Sequence, residues 1–238
     1  MSLSITIVFD NYSLVEETIP SWGFSCVVQS GEHNILFDTG NDGNLLLNNV
    51  KELGFEPLDF DHVFISHMHW DHVGGLIEFL RIKPNAHLYL VNSALPDDVK
   101  HLKRLTQRIK LIDDPVEILP GVYSLGDLPG YLNEQTLAVD TADGLVLLTG
   151  CSHPGIVNIV AKAKQHFPDK KVELVMGGFH LDQMEENHIH DIVDELLAQD
   201  VHKIAPSHCT GDYAIEKFKQ AWGDNFIDSG IGLTITYP

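Results

Sequence analysis

His67-Met68-His69-Trp70-Asp71-His72 places four side chains able to bind a metal within six residues. Imidazole nitrogens and a carboxylate at this density suit a pair of Zn, Mn or Fe ions. Such a pair can share a hydroxide and hold both the attacked and the leaving oxygen of an ester-like substrate. The spacing favours two adjacent points. His67 and His69 are two apart, so in an extended segment they point the same way. Asp71 and His72 come after the chain has turned and can face a second point near the first. A His-rich surface loop is the competing explanation, but it does not account for the pattern lying between an apolar strand and a glycine pair.

The elements that must position these residues can be read on either side. Asp61-His62-Val63-Phe64-Ile65-Ser66 reads as a buried strand, and Val73-Gly74-Gly75-Leu76 as a tight turn into a helix. Upstream, Ser4 to Phe9 is a strand, and Phe24 to Gln29 with Asn34 to Phe37 form a hairpin. Asn41 to Leu53 has helical spacing, with Leu45, Leu46 and Val50 apolar. Downstream, Ala86 to Val91 is a strand and Leu95 to Arg108 a helix. Ile118 to Leu125 and Gln135 to Asp140 are short strands.

The last third alternates strand and helix three times. Leu145 to Thr149 runs into Gly150-Cys151-Ser152-His153. Val172 to Met176 runs into Gly177-Gly178-Phe179-His180. His202 to Pro206 runs into Ser207-His208-Cys209-Thr210-Gly211. The helices that follow cover Ile156 to His166, His188 to Gln199 and Tyr213 to Trp222. In α/β units the working site lies beyond the carboxyl ends of the strands. A histidine at each of these ends, beside H-x-H-x-D-H, is more than packing requires. His33 lies in a hairpin turn, His62 precedes a strand, His188 and His190 open a helix, and His87, His101, His166 and His202 lack a metal-type neighbour at useful spacing; all read as structural.

The motif resembles the signature of the metallo-β-lactamase superfamily. Further pieces narrow the resemblance: Phe37-Asp38-Thr39-Gly40, Asn133-Glu134-Gln135, Gly150-Cys151-Ser152-His153-Pro154-Gly155 and His208-Cys209-Thr210-Gly211. Over nearly the whole chain the set is similar to the branch of dihydropterin-methyl-(ribofuranosyl)aminobenzene 5′-phosphate synthase-like metal-dependent hydrolases. The resemblance implies an α/β fold, a four-layer αβ/βα sandwich, with residues 1–238 as a single domain. It implies one ion on His67, His69 and His153, and another on Asp71, His72 and His208, with two Zn ions expected and Mn or Fe as alternatives. In a hydrolytic reading Asp71 would also hold or orient the attacking water. His180 could be a further ligand, a substrate contact, or a proton donor that stabilises developing charge or protonates the leaving group, unless it merely anchors a neighbouring loop. Asp38 would support a ligand histidine from behind, although Asp38 or Asn41 could equally cap the following helix. Most dinuclear members carry a bridging Asp where this chain has Cys151. A thiolate there could bind a metal; simple burial beside the site is favoured.

Trp70, Phe179, Trp22, Phe24 and Tyr131 are candidate walls for a planar substrate, with ordinary core and loop packing as the competing reading; Trp70 is the best of them, because it sits between metal ligands. The formal net charge of −19, from 15 basic and 34 acidic residues, repels nucleic acid phosphates, so a small molecule is the expected partner. No apolar run approaches the ~18 residues of a membrane span, so no membrane contact is expected. The absence of Lys and Arg before Lys51 and the scatter of Cys26, Cys151 and Cys209 point to a cytoplasmic protein. The leading expectation is a hydrolase of an ester or phosphoester, related to pterins. A mononuclear iron dioxygenase of the same fold and a non-catalytic metal- or ligand-binding protein are the alternatives.

Overall fold

The computed structural model describes residues 2–238. The chain is mixed α/β with two sheets and forms two compact units, one through Asp113 together with Gly230–Pro238, the other Asp114–Ser229.

The first unit holds strands β1 (Leu3–Phe9), β2 (Ser25–Ser30), β3 (His33–Phe37), β4 (His62–Phe64), β5 (His87–Val91), β6 (Ile109–Ile112) and β13 (Thr234–Tyr237). Their order is β13-β1-β2-β3-β4-β5-β6. The β2–β3 hairpin is antiparallel, and β3 through β6 are parallel. Helices α1 (Gly43–Glu52), α2 (Trp70–Val73), α3 (Leu76–Ile82) and α4 (Pro96–Leu102) supply the connections. Leu46 and Val50 of α1, with Leu76, Phe79 and Leu80 of α3, share a core with Val27, Leu36, Val63 and Leu88. The alternate residues Ile5, Val28, Ile35 and Phe37 are buried as well, so these strands read as nearly continuous apolar runs. Asp42 caps α1 by accepting from Leu45 N–H at 2.9 Å, a role expected of Asp38 or Asn41.

The expected helix from Leu95 to Arg108 ends at Leu102. The β-branched Ile109 and Ile112 that follow extend the sheet as β6, which sequence reading did not find, nor did it find β13.

In the second unit, β7 (Val116–Leu119), β8 (Val122–Ser124), β9 (Leu137–Thr141), β10 (Gly144–Thr149), β11 (Val172–Gly178) and β12 (Lys203–Ser207) run in the order β12-β11-β10-β9-β8-β7. Pro120-Gly121 splits the expected strand Ile118 to Leu125 into β7 and β8, because a Pro-Gly pair turns the chain. β10, β11 and β12 are parallel. Helices α5 (Ile156–His166), α6 (Glu186–Ala198) and α7 (Asp212–Trp222) bury Ile159, Val160, Val193, Leu196 and Phe218 with Leu145, Leu147, Val175 and Ile204. None of the helices among the described residues is long and apolar enough to cross a membrane.

Three histidines set aside as structural form a row in the first unit. His33, His62 and His87 begin β3, β4 and β5, with ring centroids 5.7 and 5.2 Å apart. Burial, then the neighbouring His87 and His33, pushes His62 down to about 4 from the ordinary 6.5. The unfolded chain therefore binds a proton that the folded chain refuses across that window. The His62 contribution to stability should fall as pH drops from about 6.5 to about 4 and level off below. In denaturant titrations at pH 7 and 4.5, His62→Gln should lose less stability than the unaltered chain, by on the order of 2 kcal/mol. Equal losses would remove His62 as the cause.

Candidate metal-ligand clusters

β4 ends at Phe64, and Ile65 still bonds across to Tyr89 before the chain leaves the sheet. The segment stays extended through His69 and then closes into the single turn α2. That change of direction brings the four donors of the motif together. The His67 ring lies 4.9 Å from His69 and 4.2 Å from His72, and Nε2 of His72 is 3.9 Å from Oδ2 of Asp71. His67, Asp71 and His72 are buried, and His69 is half-buried. The turn is held against the loop that follows β3: Thr39 N–H and Oγ1 donate to His72 O, and Gly74 N–H to Gly40 O. A Cβ at Gly74 would sit 2.3 Å from Asn41 O, so this approach requires glycine.

Behind the cluster stands Asp38, fully buried at the end of β3. Its Oδ2 receives Nδ1 of His72 at 2.7 Å and Ser66 Oγ at 2.6 Å, and its Oδ1 receives Ser66 N–H at 2.7 Å. Ser66 Oγ in turn lies 2.9 Å from Nδ1 of His67. With the hydroxyl proton committed to Asp38, this bond runs from the imidazole N–H to Ser66. One carboxylate thus sets the tautomer of two histidines and turns both Nε2 atoms away from itself, as an outer partner of a metal site does. Burial pushes the Asp38 carboxyl up, while His72 and then the Ser66 bonds pull it back. Burial and the nearby Asp38 raise the Cys26 thiol well above its ordinary value.

In the second unit the ends of β10, β11 and β12 carry His153, His180 and His208. Ser152, His180 and His208 have positive φ, as Asp38 does in the first unit. Only one other described non-glycine residue, Asp200, shares this strained geometry, which clusters where side chains must be aimed sharply. Three bonds tie the strand-end loops together: Ser152 Oγ to Gly178 O, Phe179 N–H to Thr210 Oγ1 and Leu181 N–H to Cys209 O. Donor atoms of Cys151, His153 and His180 lie within 4.8 Å of one another, and so do those of Cys151, His208 and Cys209.

Glu134 organises this cluster and was given no role from the sequence. It is fully buried. Its Oε1 accepts the N–H groups of Gly150, Cys151 and Ser152 at 2.9, 3.0 and 3.0 Å. Its Oε2 accepts N–H and Nδ1 of His153, both at 3.0 Å. Glu134 does for His153 what Asp38 does for His72.

Trp70 is 62% exposed beside the motif, and His180 is exposed with its ring 4.6 Å from that of His153. Cys151 is buried. Phe179 corrects the sequence reading. It is only 1% exposed and packs edge-on against Phe218, so the ring belongs to the core and cannot line a substrate site. Phe24 is likewise buried against Phe37. Trp22 instead uses its indole nitrogen, which donates to Asp71 Oδ2 at 2.8 Å.

In each unit the donors are of kinds suited to zinc and its borderline neighbours: imidazole nitrogens oriented through Nδ1 with a carboxylate in the first, and an imidazole oriented through Nδ1 with two buried thiols in the second. The residues present fit such ions.

Comparison with known proteins agrees. The family model described as the metallo-beta-lactamase superfamily matches residues 23–164. A 7,8-dihydropterin-6-methyl-4-(beta-D-ribofuranosyl)-aminobenzene-5′-phosphate synthase of Methanocaldococcus jannaschii is 28% identical, over 95% of this chain and 96% of its own length. An uncharacterized protein of the same organism is 29% identical over 97% of this chain and 99% of its own. Among solved structures, Tm1679, described as a metal-dependent hydrolase of the beta-lactamase superfamily, is 29% identical. It covers 98% of each chain with a TM-score of 0.85.

Proposed function

Because this chain belongs to the metallo-beta-lactamase superfamily, we infer that it is a metal-dependent hydrolase acting on an ester or phosphoester bond of a small molecule. The observation that carries the reading is the motif cluster backed by Asp38, in which the Nδ1 atoms of His67 and His72 are tied off from behind. Following the superfamily pattern, His67, His69 and His153 would hold one ion, and Asp71, His72 and His208 the other. Zinc is the expected metal, and residues 1–238 act as a single domain. When bound, such ions supply Lewis acidity, polarising a substrate oxygen and lowering the pKa of water to about 7.

The remaining work falls to side chains. Asp71 orients the attacking water by accepting a hydrogen bond from it through a carboxylate oxygen. His180, exposed and carried on a strained backbone, reaches the leaving group and donates a proton to it or stabilises its charge. Cys151 sits buried beside both groups of the second unit, where its thiol shapes the ligand environment. Trp70 offers its exposed ring as a wall for a planar group. The pterin compound named for the Methanocaldococcus jannaschii relative suggests what that group is. The net charge of −19 favours such a small molecule over a nucleic acid. Three buried thiols suit the reducing cytoplasm.

The test is metal content of protein purified without added metal or chelator, together with hydrolysis of a chromogenic phosphodiester and a carboxylic ester. About two zinc ions per chain and chelator-sensitive hydrolysis are expected. About one iron, with oxygen uptake and no hydrolysis, would overturn the reading in favour of an oxygenase.

A further inference from the structure

A segment 49 positions earlier in the sequence grips Asp71 at both its side chain and its backbone. The indole Nε1 of Trp22 donates to Asp71 Oδ2 at 2.8 Å, and Phe24 N–H donates to Asp71 O at 3.3 Å. Gly23 lies between them at φ 144°, and a Cβ there would sit 2.6 Å from Asp71 O. No other residue type allows so close an approach. The oxygen that Trp22 holds is the one 3.9 Å from Nε2 of His72. A carboxylate oxygen can accept more than one bond, so Oδ2 can take the indole N–H and still face the His72 side. Trp22 itself is 44% exposed, so filling the core is a minor part of its role.

We propose that Trp22 is a positioning residue: its indole N–H fixes Oδ2 of Asp71 as a single-oxygen metal ligand beside His72. This rests on the reading of Asp71 and His72 as ligands of one ion. Without the indole bond the carboxylate turns about its Cβ–Cγ axis, and the ion held by Asp71 loses a preset partner. The indole bond goes to Asp71, so the effect falls first on the ion that Asp71 holds.

Zinc titration of the metal-free full-length chain against a chromophoric chelator tests this, because it resolves two binding steps without any substrate. Trp22→Phe keeps a ring and removes the donor. It should weaken one step by about 10- to 100-fold and leave the other unchanged. Asp71→Ala should weaken the same step, and the double variant should be no weaker than Asp71→Ala alone. If Asp71→Ala loses a step while Trp22→Phe keeps both, the positioning role is overturned and the ligand reading survives. If Asp71→Ala keeps both steps at full affinity, the ligand reading and the proposal fall together. Equal weakening of both steps by Trp22→Phe, with a lowered melting temperature, would make the contact merely structural and also overturn the proposal.

Discussion

Glu134→Ala should lower the melting temperature by roughly 8–16 °C and weaken metal binding. The carboxylate is fully buried and accepts five hydrogen bonds, four from consecutive backbone N–H groups and one from an imidazole. Alanine leaves those donors buried with no acceptor, and each such group costs about 1–3 kcal/mol. The loop can relax and recover some of this, so a net loss of about 4 kcal/mol is reasonable. For a domain of this size each kcal/mol moves the midpoint by about 2–4 °C. The loss should extend to chemistry, because Nδ1 of His153 no longer has a partner to set its tautomer. Removing such a support typically costs about 10- to 100-fold in metal affinity. Glu134→Gln separates the two effects. Its single carbonyl oxygen can still serve Gly150, Cys151 and Ser152, but its NH2 group meets the two donors of His153. It should melt closer to the unaltered protein and still bind metal poorly. Thermal melts and chelator competition on both variants decide the matter; an unchanged melting temperature in Glu134→Ala would remove the clamp.

The residues of H-x-H-x-D-H were legible because all the donors come from one local segment, and a strand followed by a single helical turn suffices to gather them. The strand-end histidines could be located for a similar reason. Helix α5 runs from Ile156 to His166 as its 3.6-residue spacing indicates, and the strands before and after it fix where His153 and His180 emerge. What stayed hidden depends on contacts far apart in sequence. Glu134 meets Gly150 16 positions away, and Trp22 meets Asp71 49 positions away. No periodicity encodes either pairing. The left-handed backbone at Asp38, His180 and His208 was also invisible, because sequence reading assigns that geometry to glycine. Phe179 misled because an aromatic at a strand end can face either the site or the core, and residue type alone does not decide which. Its backbone N–H is tied to Thr210, and its ring goes into the core with Phe218. Asp38 could only be narrowed to two roles. The structure gives it the support of His72 and hands the helix cap to Asp42.

His67→Ala should abolish hydrolysis while leaving the fold standing, which makes it the most decisive variant for the proposed activity. His67 is the histidine at the centre of the motif cluster, with His69 and His72 on either side. Its Nδ1 bonds to Ser66 Oγ, and Ser66 keeps its own two bonds to Asp38 when the imidazole is gone. The Asp38–His72 pair therefore survives, and the turn α2 keeps its bonds to Thr39 and Gly40. The structural cost should be that of a buried side chain of moderate size, about 2–3 kcal/mol. The functional cost should be far larger. Losing an outer partner of a metal site costs about 10- to 100-fold, and losing a ligand should exceed that range. His69→Ala should behave alike, with a smaller structural cost because His69 is only half-buried. Circular dichroism, metal content and chromogenic ester hydrolysis of the two variants form one experiment. Native-like spectra with reduced metal and no turnover are expected. Either variant retaining full metal and full rate would sink the ligand assignment and the hydrolytic reading built on it.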